Sequence, residues 1–422
     1  MKVRIVGFGF AGLACAYAAS KKGWEIEIFE QSPTPGGMLS TIHTDFGIVE
    51  AAANGIINSA RVEDLASSLK IDLCYADKSR AKRYIFWGRP TRWPLKLSTS
   101  LLLLFKIVQF KFLKPKHIKD QLKLLKVSRG HNLTQWCKSF LSSETHGHEL
   151  ATKLLTPALG GVYGLNTDQL DAELVLTSLL KRRVKTNASF TRGTVAPKNG
   201  MSDFFSKFLS YLSSKNISVY FNKEIESAHL RTGESEHVII ATHPKKTFEL
   251  LNSVEPELAK QIKQIDFLSL VTITLFFKPS PNDFIGFGCL FPEEQKFFSR
   301  GVLFNSDIFS QRSKNKEFRS ETFIISRREV ISESDEEILN EVLTDRSRIL
   351  GRPSEKPLDF KLTRWPSALP IYDSKLREIL SQLKVKDKNI HLIGNYLGDL
   401  SLSKILDNAF DLIEDISKAS KA

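Results

Sequence analysis

Val3-Arg4-Ile5-Val6-Gly7-Phe8-Gly9-Phe10-Ala11-Gly12 joins a short apolar run to a G-x-G-x-x-G turn, and an Ala-rich helical stretch continues to Ala19. Gly23 breaks that stretch, and Trp24-Glu25-Ile26-Glu27-Ile28-Phe29 then alternates as a second strand ending on Glu30. Strand, helix, strand and acid in this order predict a βαβ dinucleotide-binding unit. Gly7 permits the tight turn, Gly9 lets backbone approach a pyrophosphate, and Gly12 lets helix and strand pack closely. The free N–H groups at the helix start, at Phe10 and Ala11, and the positive helix end then face the phosphates. Glu30, eighteen residues past Gly12, is placed to accept hydrogen bonds from ribose hydroxyls.

The next residues bear on which dinucleotide is bound. Pro33 and Pro35 stiffen a loop, and Gly36-Gly37-Met38 offers a second close backbone approach, suited to a longer ligand. A glycine pair at this distance from Glu30 resembles the E-x(5–6)-G-G pattern of the FAD-dependent amine oxidase superfamily. The resemblance implies FAD; an NAD-dependent dehydrogenase is the alternative. Where the superfamily has an Arg or Lys near the glycine pair, this chain has Met38, Leu39 and Ser40, which removes one pyrophosphate contact. Asp45 to Glu50 reads as a strand, and the small residues Ala51 to Gly55, with Ala52, Asn54 and Gly55 singled out, would let backbone pass close to a flavin. A helix from Arg61 to Lys70, capped by Asn58 or Ser59, follows.

At 422 residues the chain is too long for one core, and 42% hydrophobic content indicates a globular protein of two or three domains. Cys15, Cys74, Cys137 and Cys289 lie far apart, which indicates neither a disulfide framework nor a zinc site. Because the first strand begins at once, no signal peptide is expected, and a reducing cytoplasm fits. The charge is concentrated. From Asp77 to Arg129 fifteen Lys or Arg face two Asp, a net +13 equal to that of the whole chain. One confined basic block indicates a local surface or pocket and argues against nucleic acid as the partner.

Lys82 to Leu95 (KRYIFWGRPTRWPL) alternates basic and aromatic residues like a strand with one wet face. With the preceding motifs it resembles the protoporphyrinogen oxidases, whose Arg-aromatic-aliphatic-aromatic run lines the substrate cavity. The role this implies for Arg83 is pairing with a substrate propionate. Ser98 to Leu113 is the most apolar stretch. Lys106 and Lys111 interrupt it, and eight lysines lie between Lys96 and Lys126. It falls short of the roughly 20 apolar residues of a spanning helix. It is either an interfacial helix at a membrane surface, as the family's middle region often is, or a core helix with a basic side. His146-Gly147-His148-Glu149 lacks a converging ligand cluster and reads as a surface loop, with no metal expected. Pro157-x-x-Gly160-Gly161-x-Tyr163-Gly164 resembles a family segment where a helix ends, with shape as its role.

Asn199-Gly200-Met201 opens a helix from Asp203 to Ser213, and Ile217–Phe221 and Glu224-Ile225 follow as strands. The family implies that Ile225 contacts the adenine end. His237 to Thr242, with Pro244 and a helix after it, returns the chain to the dinucleotide domain. Leu268–Phe277, Phe284–Phe291, Gly301–Phe304 and Glu321–Ser326 read as strands of a mixed sheet, framed by helices at Asp335–Val342 and Ser374–Leu383. Trp365-Pro366-Ser367-Ala368-Leu369-Pro370-Ile371-Tyr372 resembles the family segment beside the isoalloxazine, without its following Gly-His. A strand from His391 ends at Gly394. Gly398 falls one place early for the family's turn, and Leu400, Ser401 and Leu402 can offer N–H groups at a helix start to a reduced flavin.

The expected architecture is α/β: a Rossmann-type FAD-binding domain in separated segments (1–80, 191–250 and 385–422), a mixed-sheet substrate domain (81–95 and 251–384), and a helical, membrane-associating or core insertion (96–190). The resemblance implies oxidation of a porphyrinogen to its porphyrin in haem biosynthesis. It further implies protoporphyrinogen IX or coproporphyrinogen III as the substrate, hydride transfer to the flavin, and oxygen or a quinone as the final acceptor. An amine oxidase, a carotenoid-type desaturase and a non-catalytic flavin-binding membrane protein are the alternatives. No acid–base residue is assigned. A cytoplasmic location is expected, and the interfacial reading would place the protein on the inner face of the cell membrane.

Overall fold

The computed structural model describes residues 1–80, 82–93, 128–180, 190–212, 216–230, 236–312, 314–327 and 329–420. The Ser98–Leu113 stretch and the lysines around it lie outside the described residues.

The opening motif folds as strand Lys2–Val6, helix Phe10–Lys21 and strand Glu25–Phe29. Ile26 and Ile28 point into the core while Glu25 is exposed, as a period of two requires. The helix is apolar on nearly all sides and buried, wedged between the sheet and the amphipathic helix Leu402–Ala419. Five parallel strands form this sheet in the order Ile217–Tyr220, Glu25–Phe29, Lys2–Val6, Glu236–Ile240, Ile390–Leu392. Lys2 faces Glu25 on one side and Glu236 on the other. Segments far apart in sequence therefore meet in one sheet. Gly7, Glu30, Ala241 and Gly394 stand just beyond the carboxyl ends of adjacent strands, where parallel sheets bind ligands.

A seven-stranded sheet follows the order Asp359–Pro370, Phe267–Phe277, Arg319–Ile325, Gly301–Leu303, Gly288–Leu290, Arg83–Phe86, Pro90–Trp93. All pairings are antiparallel except Gly288–Leu290 with Arg83–Phe86. Along Phe267–Phe277, Val271, Ile273 and Leu275 pack in one core with Ile338, Val342 and Ile349 of helix Asp335–Leu350. Leu270 and Thr272 face the opposite way. A third cluster joins helices Leu133–Leu141, Thr156–Tyr163 and Ala172–Leu180 to Tyr372, Leu376 and Tyr396.

Several local expectations change. Glu224 and Ile225 are irregular, because the strand Ile217–Tyr220 has already passed the sheet edge. The strand expected from Phe284 shrinks to Gly288–Leu290. The helix from Asp335 continues to Leu350, fixed by a Ser334–Glu337 capping box. His146 to Glu149 belongs to a helix, Glu144–Glu149, capped by Ser143, and Gly147 packs directly on Lys138.

His237 and His391 sit on neighbouring strands with Nδ1 and Nε2 at 3.2 Å. Burial, and then the His237 neighbour, pushes His391 from the ordinary 6.5 down to about 4; burial also lowers His237. Two neutral rings can share one hydrogen bond, whereas two imidazoliums would oppose donor to donor. The unfolded chain takes up the proton first. Stability is therefore complete above pH 6.5 and is lost as pH falls toward 4, by about 2–3 kcal/mol at most. Denaturant midpoints measured across this window should fall with pH in the wild type and flatten in His391→Gln.

Candidate active site

A cavity of 740 Å³ lies between the two large sheets, toward the upper end of the roughly 300–1,000 Å³ of ligand sites. At one end Gly7, with φ +98°, makes the turn out of the first strand, and a Cβ there would meet Ala241 O at 2.8 Å. Gly9 is the N-cap of the following helix and has no side chain to cover the first-turn N–H groups. A Cβ on Gly9 would find no protein atom nearer than Gly36 O at 3.9 Å, so this space belongs to the cavity. Gly36 runs alongside, its N–H donating to Phe8 O, and Gly36, Gly37 and Met38 continue the wall. Glu30 lines the same end. Its carboxylate accepts from Phe8 N at 2.7 Å and Ser32 N at 2.9 Å, which fixes its orientation and leaves it further acceptor positions. A donor-rich cradle beside an oriented carboxylate fits the pyrophosphate and ribose of a dinucleotide.

Gly9, Phe10, Ala11, Ala52, Gly55, Ile225, Gly394, Leu400, Ser401 and Leu402 also line the cavity. Ser401 caps helix Leu402–Ala419, its Oγ accepting from Lys404 N, so that this second helix start opens on the same space. Gly12 lies behind the wall, where its Cα packs against the Gly7 carbonyl. Asn54 is likewise outside the lining, and its amide donates back to Ala52 O at 3.4 Å. Arg83 is exposed on its strand, stacked over Phe287 at 4.8 Å, and takes no part in the wall. Arg83 shares a face with the buried Ile85 two residues on, but it stands at the first position of its strand, paired with Trp93 at the open end of the hairpin, where that face is exposed.

The far wall comes from the seven-stranded sheet. Thr272 Oγ1 and Trp365 Nε1 both donate to Ala51 O, at 3.3 and 2.8 Å, and tie that sheet to the small-residue turn beside the cradle. Leu270, Leu290, Val302, Ile324 and Leu369 make this wall apolar, and Arg300 adds a guanidinium. Gly160, Gly161 and Gly164 close the side. These glycines belong to the Pro-x-x-Gly-Gly-x-Tyr-Gly segment, read as a helix end with shape as its role, and helix Thr156–Tyr163 ends there at Gly164. Arg300 carries no local signal. His243, also in the lining, accepts from Lys245 N, and burial pushes its imidazole below the ordinary value, so it is neutral at pH 7.

Glu30→Gln replaces one acceptor by an amide that faces a backbone N–H. We expect FAD affinity to fall about 10- to 100-fold, since charge-assisted bonds of this type contribute on the order of 1.5–3 kcal/mol. Flavin content after gel filtration reads this directly, and full retention would remove Glu30 from the ribose.

The model of the flavin containing amine oxidoreductase family matches residues 10–399. Protoporphyrinogen oxidase 2 of Arabidopsis thaliana is 26% identical, the match covering 96% of this chain and 91% of that protein. Coproporphyrinogen III oxidase of Propionibacterium freudenreichii is 21% identical, over 92% and 87% respectively. Among solved structures, cyclohexylamine oxidase of Brevibacterium oxydans superposes with a TM-score of 0.66 at 13% identity, over 98% of this chain and 99% of that one. No helix among the described residues is long and apolar enough to cross a membrane.

Proposed function

The chain belongs to the flavin containing amine oxidoreductase family, and from that premise we propose that it oxidises a porphyrinogen to its porphyrin. It is an FAD-dependent oxidoreductase. The observation that carries the substrate reading is the apolar far wall opposite the dinucleotide cradle, which suits a carbon-rich molecule. The names of the curated relatives support it from a separate direction.

Bound FAD would supply a two-electron hydride acceptor, and three rounds, with the final acceptor taking two electrons from it after each, would account for the six electrons and six protons separating porphyrinogen from porphyrin. The chain's own residues bind and orient. Glu30, with the open helix start at Gly9, holds the nucleotide end. Leu400, Ser401 and Leu402 line the cavity at the start of helix Leu402–Ala419, whose positive end would favour the negative charge that develops. Thr272 and Trp365 fix the distance between the two walls through Ala51. Leu270 and Leu369 exclude water from the reacting face. The final electron acceptor is oxygen or a quinone, and the protein works in the cytoplasm or at the inner face of the cell membrane.

Anaerobic mixing of the FAD-loaded protein with protoporphyrinogen IX, and separately with coproporphyrinogen III, tests the reading. Bleaching of the flavin absorbance by either, followed by porphyrin fluorescence, is the expected result. A flavin that neither substrate bleaches would leave the family intact and discard the porphyrinogen.

A further inference from the structure

We infer that Arg300 is the specificity-determining residue that binds a substrate carboxylate. This deepens the porphyrinogen reading and rests on it for the identity of the substrate. Three observations converge on this residue. First, its backbone is locked on both sides, with N donating to Ile324 O at 2.8 Å and O accepting from Phe291 N at 3.0 Å, at the entry of strand Gly301–Leu303. The side chain therefore starts from a fixed point. Second, Arg300 lines both the main cavity and a narrow slot that shares Gly160 and Gly161 with it. Third, among the described residues it is the one charge in the part of the wall that the seven-stranded sheet supplies, and no carboxylate there pairs with it. The slot's own acid, Glu293, is engaged by the Asn166 amide.

An unpaired guanidinium in an apolar wall is costly unless an anion reaches it. Its planar fork suits a carboxylate held bidentately. The other charges around the cavity are already committed or stand at the nucleotide end: Glu30 accepts from Phe8 and Ser32, Lys246 pairs with Glu224 at 2.5 Å, and Lys223 stands beside Glu30, its N–H donating to Glu30 O at 3.0 Å. The dinucleotide phosphates belong to the Gly9–Gly36 cradle, which leaves Arg300 for the substrate. A porphyrinogen presents an apolar ring with ionised propionates at its edge, and the wall presents apolar side chains with one cation at its rim.

The test uses FAD-loaded wild type, R300M and R300K, titrated with protoporphyrin IX and with its dimethyl ester, binding being read by porphyrin fluorescence. R300M should weaken the free acid about 10- to 100-fold and leave the ester within about twofold. R300K should fall between, and flavin content should be unchanged in both. Equal weakening of acid and ester, no change for either, loss of flavin from R300M, or no porphyrin binding by wild type would each overturn the assignment. The readout is independent of turnover. Binding with the expected pattern but no porphyrinogen oxidation would reject the reaction and keep Arg300. Oxidation with an unaffected R300M would do the reverse.

Discussion

Gly12→Ala protein is expected to purify without flavin and to be less stable by about 3 kcal/mol or more. A Cβ at Gly12 would stand 2.0 Å from the Gly7 carbonyl oxygen and 3.1 Å from its carbon, both backbone atoms that cannot rotate away. The first helix would have to lift off the strand turn. That helix is also the layer on which helix Leu402–Ala419 packs, so the shift spreads through the core. Overpacking a well-filled core costs about 1–3 kcal/mol even where side chains can adjust. Gly9→Ala is the informative partner. Its Cβ meets only Gly36 O, at 3.9 Å, and φ is −80°, so the fold accepts it. The added methyl enters the pyrophosphate cradle. Gly9→Ala should therefore keep its denaturation midpoint within about 1 kcal/mol while losing most FAD affinity. Flavin retained in both variants would mean that the dinucleotide does not lie along this turn.

Glu321→Leu is expected to cost about 3–5 kcal/mol, because it removes the shared partner of two buried arginines. Glu321 takes Arg319 Nε at 2.7 Å and Arg346 Nε at 2.8 Å. Arg319 also reaches Asp307 at 3.1 Å, and Arg346 lies over the Phe277 ring at 3.7 Å. Burial alone would raise the Glu321 carboxyl. The two guanidinium groups overcome it and hold the group below the ordinary carboxylate value. Its contribution is thus present above pH 4.5 and lost as pH falls through the lower folded value. Combining Glu321→Leu with Arg346→Met should recover part of the loss, since Arg346, though it keeps Glu355 at 2.9 Å, would otherwise lack its buried partner. Chemical denaturation of the single and double variants measures this. A single variant within about 1 kcal/mol of wild type would show that water or a shifted Asp307 replaces the carboxylate. The strand carrying Glu321 also carries Ile324 of the cavity wall.

The sequence alone determined the strand, turn and helix that form one end of the cavity, and the acid beside them. GFGFAG, the helix after it and Glu30 lie within thirty residues, and strand, turn and helix there follow from local sterics and a period of hydrophobicity. The late helix start at Leu400 to Leu402 was legible for the same reason, its strand, glycine and cap being consecutive. Shape was legible too at Gly160, Gly161 and Gly164, though what those glycines face was not.

Only the tertiary structure decided the other half. Arg83 sits in a run of alternating basic and aromatic residues, which cannot reveal that it stands at the open end of its hairpin. Arg300 precedes a three-residue strand too short for any periodicity, and it enters the cavity because Gly301 pairs with Leu290 on one side and Ile324 on the other. Asn54 read as a ligand contact through its small neighbours, but its amide satisfies a carbonyl two residues back. Strand pairing between distant segments fixes which residues share a wall, and a single-residue change of register exchanges the faces.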